Sequence, residues 1–387
     1  MTKFGDLLSY PLRSGVTVAA SARGSGIRMV NMRELFAHRQ LGDVDMARVE
    51  LGDVDEERYL LRSGDLLFAR RSLTAEGAGQ CAIVAKVPEP TTWESSILRA
   101  RVDTAKSDPT FLYYYFRSPQ GRRLMATIVE QVAAAGIRSS DLGRLDVPCP
   151  SLDRQYRVAE VLGALDDKIA ANRYVADRCD LLRSELWQGA ILAGARLEAL
   201  STVARFVNGR AFTKDATGTG RVVVRIAELN SGIGSSTVYN DIEVADDNTV
   251  RPGDLLMAWS GSLVTRRWFR DEAIVNQHIF KVISDQGYPH WAVACAVESQ
   301  MPYFRSLAAD KATTMGHIQR HHLDDPVAWP ETINAELNAL GEMLWQRALA
   351  AETESERLAR TRDELLPLLM DGRISVRQAA DTAARVL

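Results

Sequence analysis

Cysteine is scarce and scattered. The four cysteines, Cys81, Cys149, Cys179 and Cys295, form no C-x-x-C pair, which argues against a zinc ribbon or disulfide framework and fits a reducing compartment. No apolar run approaches the roughly 18 residues of a membrane span, and the opening Met1 to Tyr10 lacks the apolar core of a signal peptide. A soluble cytoplasmic protein without membrane partners is the expectation. Excess positive charge is missing too: a formal charge of −3 over 387 residues excludes a uniformly basic nucleic-acid coat. Only seven of the 47 basic residues are lysine. The signatures of chemistry are also absent. There is no G-x-x-x-x-G-K-[ST] loop, no H-E-x-x-H, no G-x-S-x-G elbow and no N/D-P-P-Y/F run. No catalytic residue is therefore assigned.

What the chain does have is itself, twice. Gly24 to Leu35 resembles Gly218 to Leu229, Ser63-Gly64-Asp65-Leu66-Leu67 matches Pro252-Gly253-Asp254-Leu255-Leu256, and Gly136-Ile137-Arg138 to Leu142 matches Gly316-His317-Ile318 to Leu323. The offset between copies falls steadily from 194 through 189 to 180 at Pro150 and Pro330, as expected for one scaffold with shorter loops in its second copy. Each copy begins with short β-branched runs, among them Ile27 to Met32, Cys81 to Val87, Val222 to Ile226 and Ala273 to Ile283, which read as a mostly antiparallel sheet. Phe111 to Phe116 and the region of Trp291 read as helices packed on it. With 46% hydrophobic residues the chain can bury such cores.

Beyond Pro148 and Pro150 the period changes. Ser151 or Asp153 can cap a helix, and Val158, Leu162, Leu165, Ile169, Asn172, Ala176, Cys179 and Leu186 fall on alternating four- and three-residue steps, with one place missed at Arg183. That is a coiled-coil seam. A second seam runs from a start near Thr332 through Ile333, Leu337, Leu340, Leu344, Ala351, Leu358 and Leu365 to a stop at Gly372. Each helix should extend about 50 Å. If the seams bury each other, the helices run antiparallel with a pseudo-two-fold axis; the alternative is that each helix packs on its own body. The pattern divides the chain at 1–150, 151–196, 197–330, 331–372 and a tail, 373–387. Its fold class is α+β.

Arg70, Arg71 and Ser72 follow the first Gly-Asp-Leu-Leu motif, and Arg266 and Arg267 follow the second, which predicts equivalent surfaces. Arginine can grip phosphate and pair with guanine edges, and Asn276 and Gln277 offer amides suited to adenine. Arg138, Ser139, His317 and Arg320 lie in the third repeated motif and complete the DNA-contact candidates. Solvated surface arginines and a structural amide network are the plainer readings of the same residues. His317, His321 and His322 with Asp324 and Asp325 have a spacing that can ligate zinc, but the first copy has no histidine there. No metal site is assigned.

Val147-Pro148-Cys149-Pro150-Ser151-Leu152-Asp153-Arg154-Gln155, with Val158 to Ile169 after it, resembles the signature of specificity subunits of type I restriction-modification enzymes. Gly253 to Leu256, Val275-Asn276-Gln277-His278-Ile279-Phe280 and the closing Leu365 to Gly372 are similar to that family as well. Trp329-Pro330-Glu331-Thr332 and Gly341-Glu342 depart from its pattern. The resemblance implies two target recognition domains, 1–150 and 197–330, each reading half of a bipartite double-stranded DNA site. Spacer helices, 151–196 and 331–372, would hold them apart. It further implies two modification subunits docked on helices whose seams include Val158, Leu162, Leu165, Ile169, Asn172, Leu337, Leu340 and Leu344. S-adenosylmethionine would sit in those partners, and ATP and Mg in restriction subunits where they join. This chain itself would bind no cofactor.

Overall fold

The structure, a computed structural model, describes residues 1–52, 56–131, 134–309 and 316–387. It divides into two compact units. Unit one is Met1–Asp166 with Ala359–Leu387, and unit two is Asp167–Leu358. Each contains one body and a stretch of both long helices.

In body one, strand Arg23–Val30 pairs in parallel with Thr91–Trp93, and the chain then returns through Ile97–Ala100, which lies antiparallel between Leu66–Ala69 and Arg13–Ser14. Body two repeats this. Arg221–Val224 runs parallel to Ala273–Val275, and Ile279–Ser284 lies antiparallel between Leu255–Ala258 and Ala204–Asn208. Thr2–Lys3 closes against Asp146–Val147 in the first, and Ala195–Ala199 against Pro326–Pro330 in the second. The sheets are mostly antiparallel, with those parallel pairs and one between Gln40–Leu41 and Cys81–Val84 as exceptions. A parallel pair needs a crossover. Each crossover opens with a short helix, Met32–Ala37 or Ile226–Ser231, whose start is fixed by a buried glutamate: Glu34 accepts the Asn31 N–H, and Glu228 the Arg225 N–H. That capping turns the expected strand Ile27 to Met32 into helix at Met32.

Two glycines show why the copies share a backbone. A Cβ on Gly15 would lie 2.0 Å from the Trp93 carbonyl oxygen, and one on Gly209 would lie 2.1 Å from that of Asn276. The end of the strand Thr91–Trp93 or Ala273–Val275 passes too close to these glycines for any side chain.

The long helices are Leu152–Ala193 and Ala335–Met370, 42 and 36 residues. The second begins later than Thr332 because the Asn334 side chain caps it, accepting the Leu337 N–H at 2.8 Å. It stops at Gly372, whose φ of 68° lets the Arg373 N–H reach the Leu368 carbonyl. The tail then forms a further helix, Val376–Ala384, capped by Ser375. In unit two, Ala176 and Cys179 cluster with Leu344, Ala348 and Ala351, while Asn172 donates to Glu354. Moving up one helix moves down the other, so the pair is antiparallel. In unit one, Arg362 bonds to Asp166, which also accepts from Tyr114 of body one at 2.7 Å. The helices therefore pack on each other and on the bodies.

Burial along the helices completes the expected seams. The first runs through Val158, Leu162, Leu165, Ile169, Asn172, Ala176, Cys179 and Arg183, all buried. Arg183, the gap in the apolar pattern, fills its seam place at 2% exposure. The second runs through Leu344, Ala348, Ala351, Leu358, Arg362, Leu365 and Leu369, and skips Leu340, which is 38% exposed. Leu340 is therefore not a seam residue. Leu337 is half-buried against the core of body two, with Trp291 and Trp345. Gly341 is buried, and a Cβ there would meet the Trp291 ring at 2.2 Å, so only glycine fits. Among the described residues no helix is long and apolar enough to cross a membrane.

Candidate nucleic-acid interface

The strand Leu66–Ala69 ends at Arg70, and that end is where separate segments of body one converge. Arg71–Ser72 pairs with Ala135–Gly136, and the Arg70 carbonyl accepts the Ile137 N–H at 3.0 Å. The Arg70 guanidinium donates to Ser14 Oγ at 3.3 Å. Arg71, Arg138 and Ser139 are exposed, and Arg138 pairs with Glu130 at 2.8 Å. Ser139 opens the helix Ser139–Arg144. Five candidate residues from two distant motifs thus share one edge.

Body two builds the same edge from different side chains. Strand Leu255–Ala258 ends at Trp259, whose carbonyl accepts the Ile318 N–H at 3.0 Å, and Ser260 bridges to His317. Trp259 Nε1 donates to Asn208 Oδ1 at 2.8 Å, where Arg70 donates to Ser14 in body one. The Trp259 ring lies 5.1 Å from that of His278 and 6.5 Å from that of His317. Asn276 bridges to Arg210, and the Gln277 N–H donates to the Arg210 carbonyl at 2.8 Å. Gln277 is exposed. Arg320 is exposed too, in the turn after His317, with a long contact to the Phe206 carbonyl.

This edge carries unusual tension. Ser260 Oγ, Asn276 Oδ1 and His278 Nδ1 are buried with no hydrogen-bond partner, and His278 has a φ of 72°. Leaving a buried polar atom unbonded costs about 1–3 kcal/mol, and a non-glycine residue at positive φ adds to that. Three such atoms on neighbouring residues mark a place where an incoming group with polar edges can satisfy them.

Arg266 and Arg267 are not part of this edge, and the expected equivalence with Arg70 and Arg71 fails. They lie on the return strand Thr265–Arg267, paired with Leu255 and Leu256, which corresponds to Cys81–Val84 of body one. Arg266 is exposed there. Arg267 is turned inward at 4% side-chain exposure, bonded to Asp180 and Glu352 of the long helices and lying 4.5 Å over Trp345. Burial pushes the Glu352 carboxyl above its ordinary range against the pull of Arg267. Arg267 is thus a packing residue, not a DNA contact. The equivalents of Arg70–Ser72 are Trp259–Gly261, which the sequence pattern hides because aromatic and small residues do not announce a charged surface. His278 belongs to the family-like run Val275 to Phe280, but its orphaned nitrogen shows only in three dimensions.

The histidine cluster is otherwise engaged. The Gln319 N–H donates to His322 Nδ1 at 3.1 Å, Asp324 accepts from Ser201, and Asp325 accepts from Tyr303 at 3.0 Å. Among the described residues no group of three or more His, Cys, Asp and Glu is placed to hold a metal ion. Burial pushes the thiols of Cys81 and Cys295 up to about 12, far from a reactive thiolate.

No family model matches the chain. It is 25% identical over 149 residues to the type I restriction enzyme EcoKI specificity subunit of Escherichia coli K12, covering 38% of this chain and 32% of that protein. It is 26% identical over 168 residues to a Methanocaldococcus jannaschii protein provisionally described as the type I restriction enzyme MjaX specificity subunit, covering 42% and 38%. The matched segments thus span about a third of the length of these relatives. The fold is that of the crystal structure of the type I restriction-modification S subunit from M. genitalium, with a TM-score of 0.57 at 14% identity over 95% of each chain.

Proposed function

We propose that the chain is the non-catalytic DNA-specificity subunit of a type I restriction-modification complex. Two recognition domains, 1–150 and 197–330, each bind half of a bipartite double-stranded site. The spacers, 151–196 and 331–372, set the gap between half-sites, and the tail, 373–387, follows the second. Two modification subunits dock on the spacer helices, carry S-adenosylmethionine and methylate a flipped adenine. Where restriction subunits join, they bring ATP- and Mg-dependent cleavage.

One observation carries this reading: an identical strand edge is built twice with different side chains. Arg70 and Ser14 stand where Trp259 and Asn208 stand, and Glu94-Ser95-Ser96 where Asn276-Gln277-His278 stands. A duplicated scaffold with divergent tips is suited to reading two different sequences. The likeness in sequence and fold to specificity subunits supports it further. Exchanging residues 1–150 for another recognition domain, with the modification partner co-expressed, should change one half of the methylated sequence and leave the other intact. A methylome in which both halves change, or neither, overturns the reading. Alone with DNA, S-adenosylmethionine, Mg and ATP, the chain should turn nothing over.

A further inference from the structure

A second feature lies at the far end of the same strand in body one. Asp65 lies five positions before Arg70, about 17 Å along a strand, although Arg13 of this place adjoins Ser14 of the candidate interface. Here a cavity is walled by Tyr10, Arg13, Arg58, Arg62, Arg99 and Arg101. Arg101 is bonded through two nitrogens to the buried carboxylate of Asp65, both at 2.7 Å. Arg99, only 3% exposed, sits opposite Arg13 across the strand pair, contacts the Arg58 carbonyl at 3.4 Å and lies 5.1 Å from the Trp93 ring. Its Nε has no hydrogen-bond partner. Arg13 lies over the Tyr59 ring, and Arg58 and Arg62 each have an interaction of their own.

A buried guanidinium ordinarily meets a carboxylate. Arg99 instead sits among like charges. Burial lowers its pKa, and Arg101, Arg13 and Arg62 add to that while Asp65 opposes it.

Body two builds the same place with fewer arginines. Arg58-Tyr59-Leu60-Leu61-Arg62-Ser63-Gly64-Asp65 aligns without a gap on Asp247-Asn248-Thr249-Val250-Arg251-Pro252-Gly253-Asp254. The turn is identical: the N–H of Arg62 donates to Asp65 as that of Arg251 donates to Asp254. Arg99 corresponds to Lys281, which pairs with Asp254 at 3.0 Å and donates to the Thr249 carbonyl. Arg58 corresponds to Asp247, which pairs with Arg205, while Arg251 pairs with Asp246 and Glu272. One scaffold therefore answers its buried cation Lys281 with Asp254 in body two, whereas in body one Asp65 pairs with Arg101 and the Nε of Arg99 is left without a partner.

We propose that the arginine cavity of body one binds a phosphate group. The planar guanidinium fork matches phosphate oxygens, and an oxyanion there would relieve the repulsion and bond the orphaned Nε. The phosphate can come from the backbone of bound DNA or from a free nucleotide, and the two are separable.

The test uses the full chain. Calorimetric titration with pyrophosphate and with ATP should show saturable binding. Arg58→Asp, which installs the charge found at Asp247, and Arg13→Gln should each weaken it about tenfold or more, the value of one charge-assisted bond. Thermal melts of both variants should stay near that of the parent. In parallel, binding of a duplex of arbitrary sequence is followed by anisotropy across a salt series. If DNA is the source, each variant lowers the slope of log K against log salt by about one. If a nucleotide is the source, ATP binding falls and the duplex slope holds. Absence of saturable pyrophosphate and ATP binding together with an unchanged duplex slope overturns the proposal. The anion titrations contain no DNA, so a chain that fails to read DNA but still binds pyrophosphate separates this inference from the proposed function.

Discussion

The two bodies share strand pairing, crossover caps and the close approach at Gly15 and Gly209, yet they meet the long helices through different chemistry. In unit one, Asp166 of the first helix bonds to Tyr114 of body one and to Arg362. In unit two, Gly341 of the second helix lies flush against the Trp291 ring of body two. Gly341, one of the departures from the family-like pattern, thus adds an aromatic contact to the ion pairs that Arg183 and Arg267 make between body two and the helices, and glycine alone leaves room for the indole. Backbone contacts that tolerate no side chain persist across the duplication. Side chains that merely fill a junction are free to change in kind.

The sharpest way to break this contrast is to remove the seam arginines in turn. Arg362 and Asp166 are both nearly buried, at 6% and 10% side-chain exposure. Arg362→Met should therefore destabilise unit one by about 3–5 kcal/mol, the cost of stranding a buried charge. Arg183 is as buried, but its partners Asp180 and Glu298 are 39% and 37% exposed and can turn to water. Arg183→Met should cost less, about 2–3 kcal/mol. Denaturant midpoints of both variants decide it, and a reversed order would mean that the Arg362 junction of unit one is the weaker one.

A smaller effect is expected at the reading edge. Gln277→Ala should weaken binding of the complex to its cognate site by about 1–3 kcal/mol and relax one position of one half-site only, whereas Ser95→Ala, its counterpart in body one, should alter the other half if it alters anything. Competition assays with single-base variants of the site would distinguish them.

Acid should discriminate the bodies as well. His290, at the start of the helix His290–Ala309, bonds to Ser284 and the Gly253 carbonyl, and burial holds its imidazole below the ordinary 6.5. The unfolded chain takes up a proton below pH 6.5 that the folded one refuses, so this contribution is complete above 6.5 and is lost as pH falls beneath it. Body one has Pro109 at the corresponding helix start. The loss should vanish in His290→Gln, read as the pH dependence of the melting temperature between about 5 and 7.5.

The smallest effect concerns Asn172. It is buried at 2% exposure and donates to Glu354 at 2.8 Å, but Glu354 also lies 3.7 Å from Lys168 and keeps contact with water. Asn172→Leu should raise stability by about 1 kcal/mol or less, because no charge is stranded while apolar burial is gained. A clear fall in midpoint would show that the amide is worth more than the packing.

Periodicity alone makes the helices legible in the sequence: Val158 to Cys179 lie in the seam at the expected steps. The same pattern passes over Arg183 and Arg362, since a heptad repeat is recognised by its greasy residues and these two fill seam places through ion pairs supplied by other segments. It also misplaces Leu340, because Leu at a seam interval says nothing of whether a partner helix reaches that far. The arginine pairs mislead for a related reason. Arg70 leaves its strand directly, whereas Arg266 and Arg267 come only after the chain has turned back, and position along the sequence could not reveal which face each would take. The edge at Trp259, Ser260 and His278 depends on pairing with Gly316–Ile318, a contact between residues far apart in the chain.

Arg183 and Arg362 also make spacer length a quantity that changes in steps. Each extra residue in an α-helix turns everything beyond it by about 100°, so one inserted between Asn172 and Arg183 would swing the guanidinium away from Glu298. A block of seven returns it to within about 20°. Natural variants that lengthen these rods are therefore expected in units of two helical turns, matched on both strands of the pair, with intermediate lengths purged for instability before any DNA is encountered.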